Sequence, residues 1–189
     1  GTHMGINIWD PATEKWKHLT IEDGLVGNVV RRIRIDKAGM LWAMTRNAGF
    51  SLLDPETLSI KTVPVPPQYK NGPLDMNVGP DGKMWVTGDG HLYTAHLENG
   101  EPVFTDVPMP VNLKDCAATV AVSPNGTVWT AGKIGLCRYG GAKWMHFTKE
   151  KNDLVQNPIE ELIVESNDSV WVSYRDNSLG ISKFTMKED

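Results

Sequence analysis

The chain has 189 residues, of which 40% are hydrophobic and 22% charged, with a formal net charge of −4 and a sequence pI near 5.7. That is the composition of a globular chain, long enough for one domain. The acidic balance excludes the basic stripe that phosphate binding needs, so no nucleic-acid partner is expected. No run of 18 apolar residues offers direct membrane insertion.

Gly1-Thr2-His3-Met4 reads as a vector-derived remnant and is set apart from the fold at residues 1–4. Strand-like segments then follow in short order. Gly5-Ile6-Asn7-Ile8-Trp9-Asp10 leads through the turn Asp10-Pro11-Ala12-Thr13 to a strand at Trp16–Thr20. Val30–Asp36 is followed by a strand beginning near Trp42, then by Gly49–Leu53 and the turn Asp54-Pro55-Glu56-Thr57. Both turns place Asp first and Pro second, as a type I turn prefers. Later strands are expected at Leu74–Val78, from Trp85, and at Gly90–Tyr93. Others are expected at Thr119–Ser123, from Trp129, at Gly135–Tyr139 and at Trp144–Thr148, and finally at Leu162–Glu165, from Trp171, and at Gly180–Phe184. No stretch of ten residues keeps a helical period, so the chain is expected to be all-β.

Trp42, Trp85, Trp129 and Trp171 stand 43, 44 and 42 residues apart. Each follows a turn: Lys37-Ala38-Gly39-Met40, Pro80-Asp81-Gly82-Lys83, Pro124-Asn125-Gly126-Thr127 or Ser166-Asn167-Asp168-Ser169. Asp-Gly and Asn-Gly allow the positive φ of a two-residue hairpin. A period of this length holding several short strands is the signature of β-propeller blades made of four antiparallel strands. The four tryptophans are then a structural repeat core, each a buried wedge between neighbouring sheets. This function explains them more simply than sugar stacking does.

The repeat divides residues 5–189 into a partial blade at 5–22, blades at about 23–66, 67–111 and 112–152, and an incomplete last blade at 153–189. The expected fold is an incomplete arc of four to five blades from a larger propeller of the seven-bladed type. Such an arc would expose a sheet face at each end. A homo-oligomer is therefore expected, most simply a dimer joined through residues 5–36 and 159–186.

The stretch Asp23-Gly24-Leu25 through Asp36-Lys37-Ala38-Gly39-Met40-Leu41-Trp42-Ala43-Met44-Thr45, then Gly49-Phe50-Ser51-Leu52-Leu53-Asp54-Pro55, resembles the two-component regulator propeller repeat. The last repeat is similar at Asp153-Leu154-Val155-Gln156-Asn157, Val170-Trp171-Val172-Ser173 and Gly180–Phe184. The likeness weakens in the second repeat, whose entry is the proline-rich Val63-Pro64-Val65-Pro66-Pro67. It implies the periplasmic or extracellular sensory region of a bacterial two-component-type membrane receptor, receiving an oligosaccharide or other small polar ligand. The parent protein of such a region often carries a histidine kinase. Pro80-Asp81-Gly82-Lys83-Met84-Trp85-Val86-Thr87 also looks like the blades of streptogramin lyase, a propeller enzyme. A protein-binding scaffold is the remaining alternative.

Local function in such a fold belongs to the loops over one face. These loops carry Asn28, Arg46, Asn47, Gln68, Tyr69, Lys70, Asn71, Asp89, Lys114, Asp115, Lys133, Asn157, Arg175, Asp176 and Asn177. Arg46, Tyr69 and Arg175 are the preferred ligand-binding candidates, with Asn47 and Asn177 beside them, since guanidinium forks and an aromatic face suit polyhydroxylated or anionic ligands. Solvent exposure alone would also make these loops polar. No Gly-x-Ser-x-Gly elbow, phosphate loop or His-Glu-x-x-His occurs, so no catalytic residue, metal or cofactor is expected. His91 and His96 are five apart on one strand and should face opposite ways. Cys116 is placed just before or at the start of a first strand and Cys137 on a third. An intervening strand should hold them roughly 9–10 Å apart, so two free thiols are expected.

Overall fold

A computed structural model describes residues 1–45, 48–63, 65–67, 72–152, 154–176 and 179–186. The chain forms two compact units, Gly1–Pro73 and Leu74–Asp189. Both are built from antiparallel sheets, and among the described residues helix is confined to 3₁₀ turns and the short α1 (Lys149–Asn152).

In the first unit, β1 (Ile6–Asp10) and β2 (Lys15–Leu19) form a hairpin. A four-stranded meander follows: β3 (Val30–Ile35), β4 (Leu41–Thr45), β5 (Gly49–Leu53) and β6 (Ile60–Val63). Alternation along these strands sends Ala43 and Leu53 to one face, where they pack with Ile6, Leu19, Leu25 and Val30. Trp42, Met44 and Phe50 point to the other face and are also buried. The segment joining β2 to β3 is ordered by a capping box. Thr20 Oγ1 accepts the Glu22 N–H at 3.2 Å, and the Asp23 carboxylate accepts the Thr20 N–H at 2.9 Å. Gly24 then reverses the chain at φ 107°, which gives the Asp-Gly-Leu entry of the repeat a physical reason. The first four residues are not isolated from the fold, since the Thr2 carbonyl accepts the Val30 N–H at 2.9 Å.

The second unit holds three sheets. The first runs β7 (Asp75–Val78), β8 (Met84–Gly88), β9 (His91–Glu98), β10 (Glu101–Val107). The second runs β11 (Thr119–Val122), β12 (Val128–Gly132), β13 (Gly135–Tyr139), β14 (Trp144–Phe147). The third is β15 (Ile159–Val164), β16 (Ser169–Tyr174), β17 (Ile181–Thr185). Each is a meander whose first strand lies beside the first strand of its neighbour, β7 against β11 and β11 against β15. This is the arrangement of consecutive propeller blades. Trp85 packs among Leu92, Val107, Val120 and Val128, between the first two of these sheets. Trp129, fully buried, packs with Leu162, Val170, Val172 and Tyr174 of the third.

The repeat tryptophans thus occupy equivalent strand positions with unequal burial. Trp42 and Trp129 are fully buried, Trp85 is half-buried, and Trp171 is 38% exposed. The expected burial of all four therefore fails at Trp171. Its face of β15–β17 also carries Ile163, Ile181 and Lys183.

The hairpin before each tryptophan also differs from expectation. The Asp36 N–H bonds the Met40 carbonyl while the Gly39 N–H bonds the Asp36 carbonyl, and the same pair of bonds recurs at Gly79–Lys83 and Ser123–Thr127. These are three-residue loops, a type I turn followed by glycine at φ 86°, 83° and 84° in Gly39, Gly82 and Gly126. The glycines serve the left-handed position after the turn rather than a two-residue reversal.

Candidate functional site: a lysine-bearing cavity beside a disulfide

The two cysteines are bonded to each other, which corrects the expectation of free thiols. Cys116 does not lie on a strand. It ends the 3₁₀ turn Val111–Cys116 that precedes β11, and this turn folds over β12 and β13. The intervening-strand argument therefore does not apply, and the two Cα atoms are 6.3 Å apart. Two further contacts fix the turn on the β12–β13 hairpin. The Lys133 N–H donates to the Asp115 carbonyl at 2.8 Å. A Cβ at Gly132 would stand 2.2 Å from that same oxygen, so only glycine permits the approach.

This clamp defines one wall of a cavity of about 340 Å³ lined by Leu74, Asp89, Gly90, Lys114, Asp115, Ala117, Ala118 and Lys133. Its size is that of a small-ligand site. The opposite wall is the β8–β9 hairpin, where Asp89 and Gly90 adopt φ 51° and 74°. A side chain at Gly90 would collide with Lys114 Cβ at 2.9 Å. Beneath the cavity, β7 and β11 are tied by the buried Asp75 carboxylate, which accepts the Thr119 hydroxyl at 2.7 Å and the Val120 N–H at 3.1 Å. Among the described residues neither Lys114 nor Lys133 forms an ion pair. Two exposed lysines and two aspartates therefore line the cavity, offering it both cationic and anionic groups.

Of the sequence-predicted candidates, Arg46, Asn47, Tyr69 and Asn177 lie outside the described residues. Arg175 follows β16, is exposed, and donates from Nε to Glu160 at 3.2 Å. It does not line the cavity. Four other members of the same loop set, Asp89, Lys114, Asp115 and Lys133, do converge there. Two of the loop amides have structural partners instead. Asn28 Oδ1 accepts the Ile21 N–H at 2.9 Å, and Asn157 Oδ1 accepts the Lys149 N–H at 2.7 Å. Asn157 also donates to Glu150, which holds that carboxyl below its ordinary range.

His91 and His96 lie on β9 and face opposite sides, as their spacing requires. His91 stacks on Tyr93, with ring centroids 5.9 Å apart. Burial, followed by the charge of Asp106, pushes the Tyr93 hydroxyl pKa far up.

Sequence reasoning missed a set of acceptors six residues before the repeat tryptophans. Asp36 Oδ2 accepts the Trp42 indole N–H at 2.8 Å, Ser123 Oγ accepts that of Trp129 at 3.1 Å, and Glu165 accepts that of Trp171 at 3.1 Å. In the second repeat this position is Gly79, which has no side chain to offer. The fixed spacing of six was a readable signal.

No protein-family model matches the chain, and no curated protein matches it either. Solved structures do. The extracellular domain of the hybrid two-component system BT4673 of B. thetaiotaomicron aligns with TM-score 0.73 at 17% identity, over 100% of this chain and 25% of that one. PorZ, a surface component of the type-IX secretion system of Porphyromonas gingivalis, aligns with TM-score 0.75 at 18% identity, over 97% and 30%. Virginiamycin B lyase from Staphylococcus aureus aligns with TM-score 0.66 at 14% identity, over 92% and 56%. The chain thus spans about a quarter to a third of the sensor and secretion proteins it resembles. No helix among the described residues is long and apolar enough to cross a membrane. The chain has the β-propeller fold that these solved structures share.

Proposed function

We propose that this chain is a sensory segment of a periplasmic or extracellular two-component-type receptor, and that it binds a small anionic or polyhydroxylated ligand without transforming it. An acidic oligosaccharide is the ligand class that fits best. The observation that carries this reading is the convergence of Lys114 and Lys133, neither in an ion pair, on a cavity whose wall a disulfide and a glycine contact hold in place. The backbone that carries both lysines is fixed in advance, so a carboxylate ligand has only their side chains to order. Asp89 and Asp115 can accept hydroxyl protons of the same ligand. Arg46, Tyr69, Arg175, Asn47 and Asn177 remain the loop positions to substitute beside these four.

Thermal shift against a panel of neutral and acidic oligosaccharides tests the reading, because a ligand at 100 times its dissociation constant adds about 2.7 kcal/mol to the folded state. Stabilisation by acidic members that is lost in Lys114→Ala and Lys133→Ala is expected. A panel-wide absence of stabilisation would count against it.

A second observation favours self-association as well. Ile163, Trp171 and Ile181 share one face of β15–β17 at 69%, 38% and 70% exposure, with the Lys183–Glu165 ion pair against the indole. We infer that this face joins copies of the chain as a homo-oligomer, most simply a dimer.

A further inference from the structure

Cys116 and Cys137 are joined as a disulfide, and a ring nitrogen of His146 lies within 4.8 Å of both sulfurs. The neighbourhood arises directly from the topology. His146 stands opposite Cys137 in the β13–β14 register, and the 3₁₀ turn lays Cys116 over β13. Both cysteines are fully buried and His146 is half-buried.

The histidine ring is also oriented by a backbone contact. His146 Nε2 sits 2.9 Å from the Ile134 carbonyl oxygen. A carbonyl only accepts, so the ring donates from Nε2, which leaves Nδ1 as the nitrogen for an ion. Metal-bound histidines characteristically have this arrangement, one ring nitrogen donating to a backbone carbonyl and the other on the ion.

From these groups we propose that the reduced protein binds one zinc ion, or another soft or borderline cation, through Cys116 Sγ, Cys137 Sγ and His146. Two thiolates and one imidazole are a ligand set that zinc accepts, with a fourth position left to water. The oxidised and metal-bound states exclude each other, because each uses both sulfurs. In the forward direction a phosphine reductant gives two electrons to the disulfide and becomes the phosphine oxide. Water supplies the oxygen for that oxide and the two protons for the thiols. Zinc then displaces those two protons as it binds the sulfurs. In the disulfide form Cys116 Sγ lies 3.6 Å from the Gly135 carbonyl oxygen, an acceptor for its proton once the bond is reduced.

The test uses the whole chain in its oxidised and phosphine-reduced forms, each freed of metal and titrated with zinc, with bound metal read by native mass spectrometry. Cobalt(II) in place of zinc reports sulfur ligation through a thiolate-to-metal charge-transfer band. One ion per reduced chain, none per oxidised chain and none in Cys137→Ser are expected. His146→Gln should weaken binding by more than about tenfold, the least that disturbing even an outer partner costs. A reduced wild-type chain that takes up no stoichiometric zinc would overturn the proposal. So would a His146→Gln chain that binds like wild type. Comparison of the two redox forms of one folded sequence keeps the test valid if Cys137→Ser fails to fold.

Discussion

Replacing Asp36 by alanine should cost the chain about 2–3 kcal/mol, out of proportion to its position at a surface turn. Asp36 Oδ1 accepts the N–H groups of Ala38 and Met40 at 2.9 and 3.0 Å, which shapes the hairpin. Oδ2 accepts the indole N–H of Trp42, which is fully buried. Alanine would leave that N–H without a partner and out of reach of water, a penalty of about 1–3 kcal/mol. The two turn amides can turn to solvent, and their loss adds about 0.5 kcal/mol or a little more. For a chain of this size each kcal/mol moves Tm by about 2–4 °C, so a fall of about 4–12 °C is expected. Asparagine has one acceptor oxygen for two sets of donors, so it can keep the Trp42 indole partner only by turning its NH2 on the Ala38 and Met40 N–H groups, and should recover only part of the loss. Thermal and urea unfolding of Asp36→Ala and Asp36→Asn, followed by circular dichroism and tryptophan fluorescence, give both numbers. An alanine variant within about 0.5 kcal/mol of wild type, the usual range of an unremarkable surface change, would refute the reasoning. An asparagine variant as unstable as alanine would show that both carboxylate oxygens are needed as acceptors.

Trp129→Ala should cost about 3–5 kcal/mol as a buried large-to-small change, whereas Trp171→Ala should cost far less in a monomer; chemical denaturation of both checks the unequal burial. Asp10, Asp54, Glu150 and Glu165 have pKa values held below the ordinary carboxyl range, by hydrogen bonds from Thr13 and Ala12, from Glu56 and Thr57, from Asn157, and from Lys183 and Trp171 respectively. A depressed folded-state pKa contributes stability above the unfolded value that is lost as pH falls through the folded one, so Tm should be flat from pH 8 to about 5 and decline below about pH 4. Sedimentation velocity should show a concentration-dependent dimer that Ile163→Lys converts to monomer; an Ile163→Lys chain that still dimerises would remove that face from the interface.

Much of this fold was legible because the repeat is enforced by physics acting at fixed spacing. Every blade needs a tight reversal, so Gly39, Gly82 and Gly126 recur, and each needs a large apolar group for the next sheet, so tryptophan recurs. The burial of Trp171 was not legible, because it depends on which sheet follows and not on the residue itself. The disulfide escaped for a related reason. Strand periodicity places Cys137, but the 3₁₀ turn that carries Cys116 over β13 has no period to detect. The cavity was half legible. Its residues Asp89, Lys114, Asp115 and Lys133 stood in the loop set, yet arginines and a tyrosine ranked above them on chemical type alone. What distinguishes the lysines is the close approach of Gly132 to the Asp115 carbonyl and of Gly90 to Lys114, and a tertiary contact of that kind leaves no local signature.

The most direct test of the binding account is calorimetric titration of the chain with an oligogalacturonate, beside the uncharged sugar of matched length. The account predicts saturable binding of the acidic sugar, weakened by added salt and reduced at least about tenfold, or 1.4 kcal/mol, in Lys114→Ala/Lys133→Ala with Tm unchanged. Binding of the acidic sugar that survives the double substitution at full strength would contradict it.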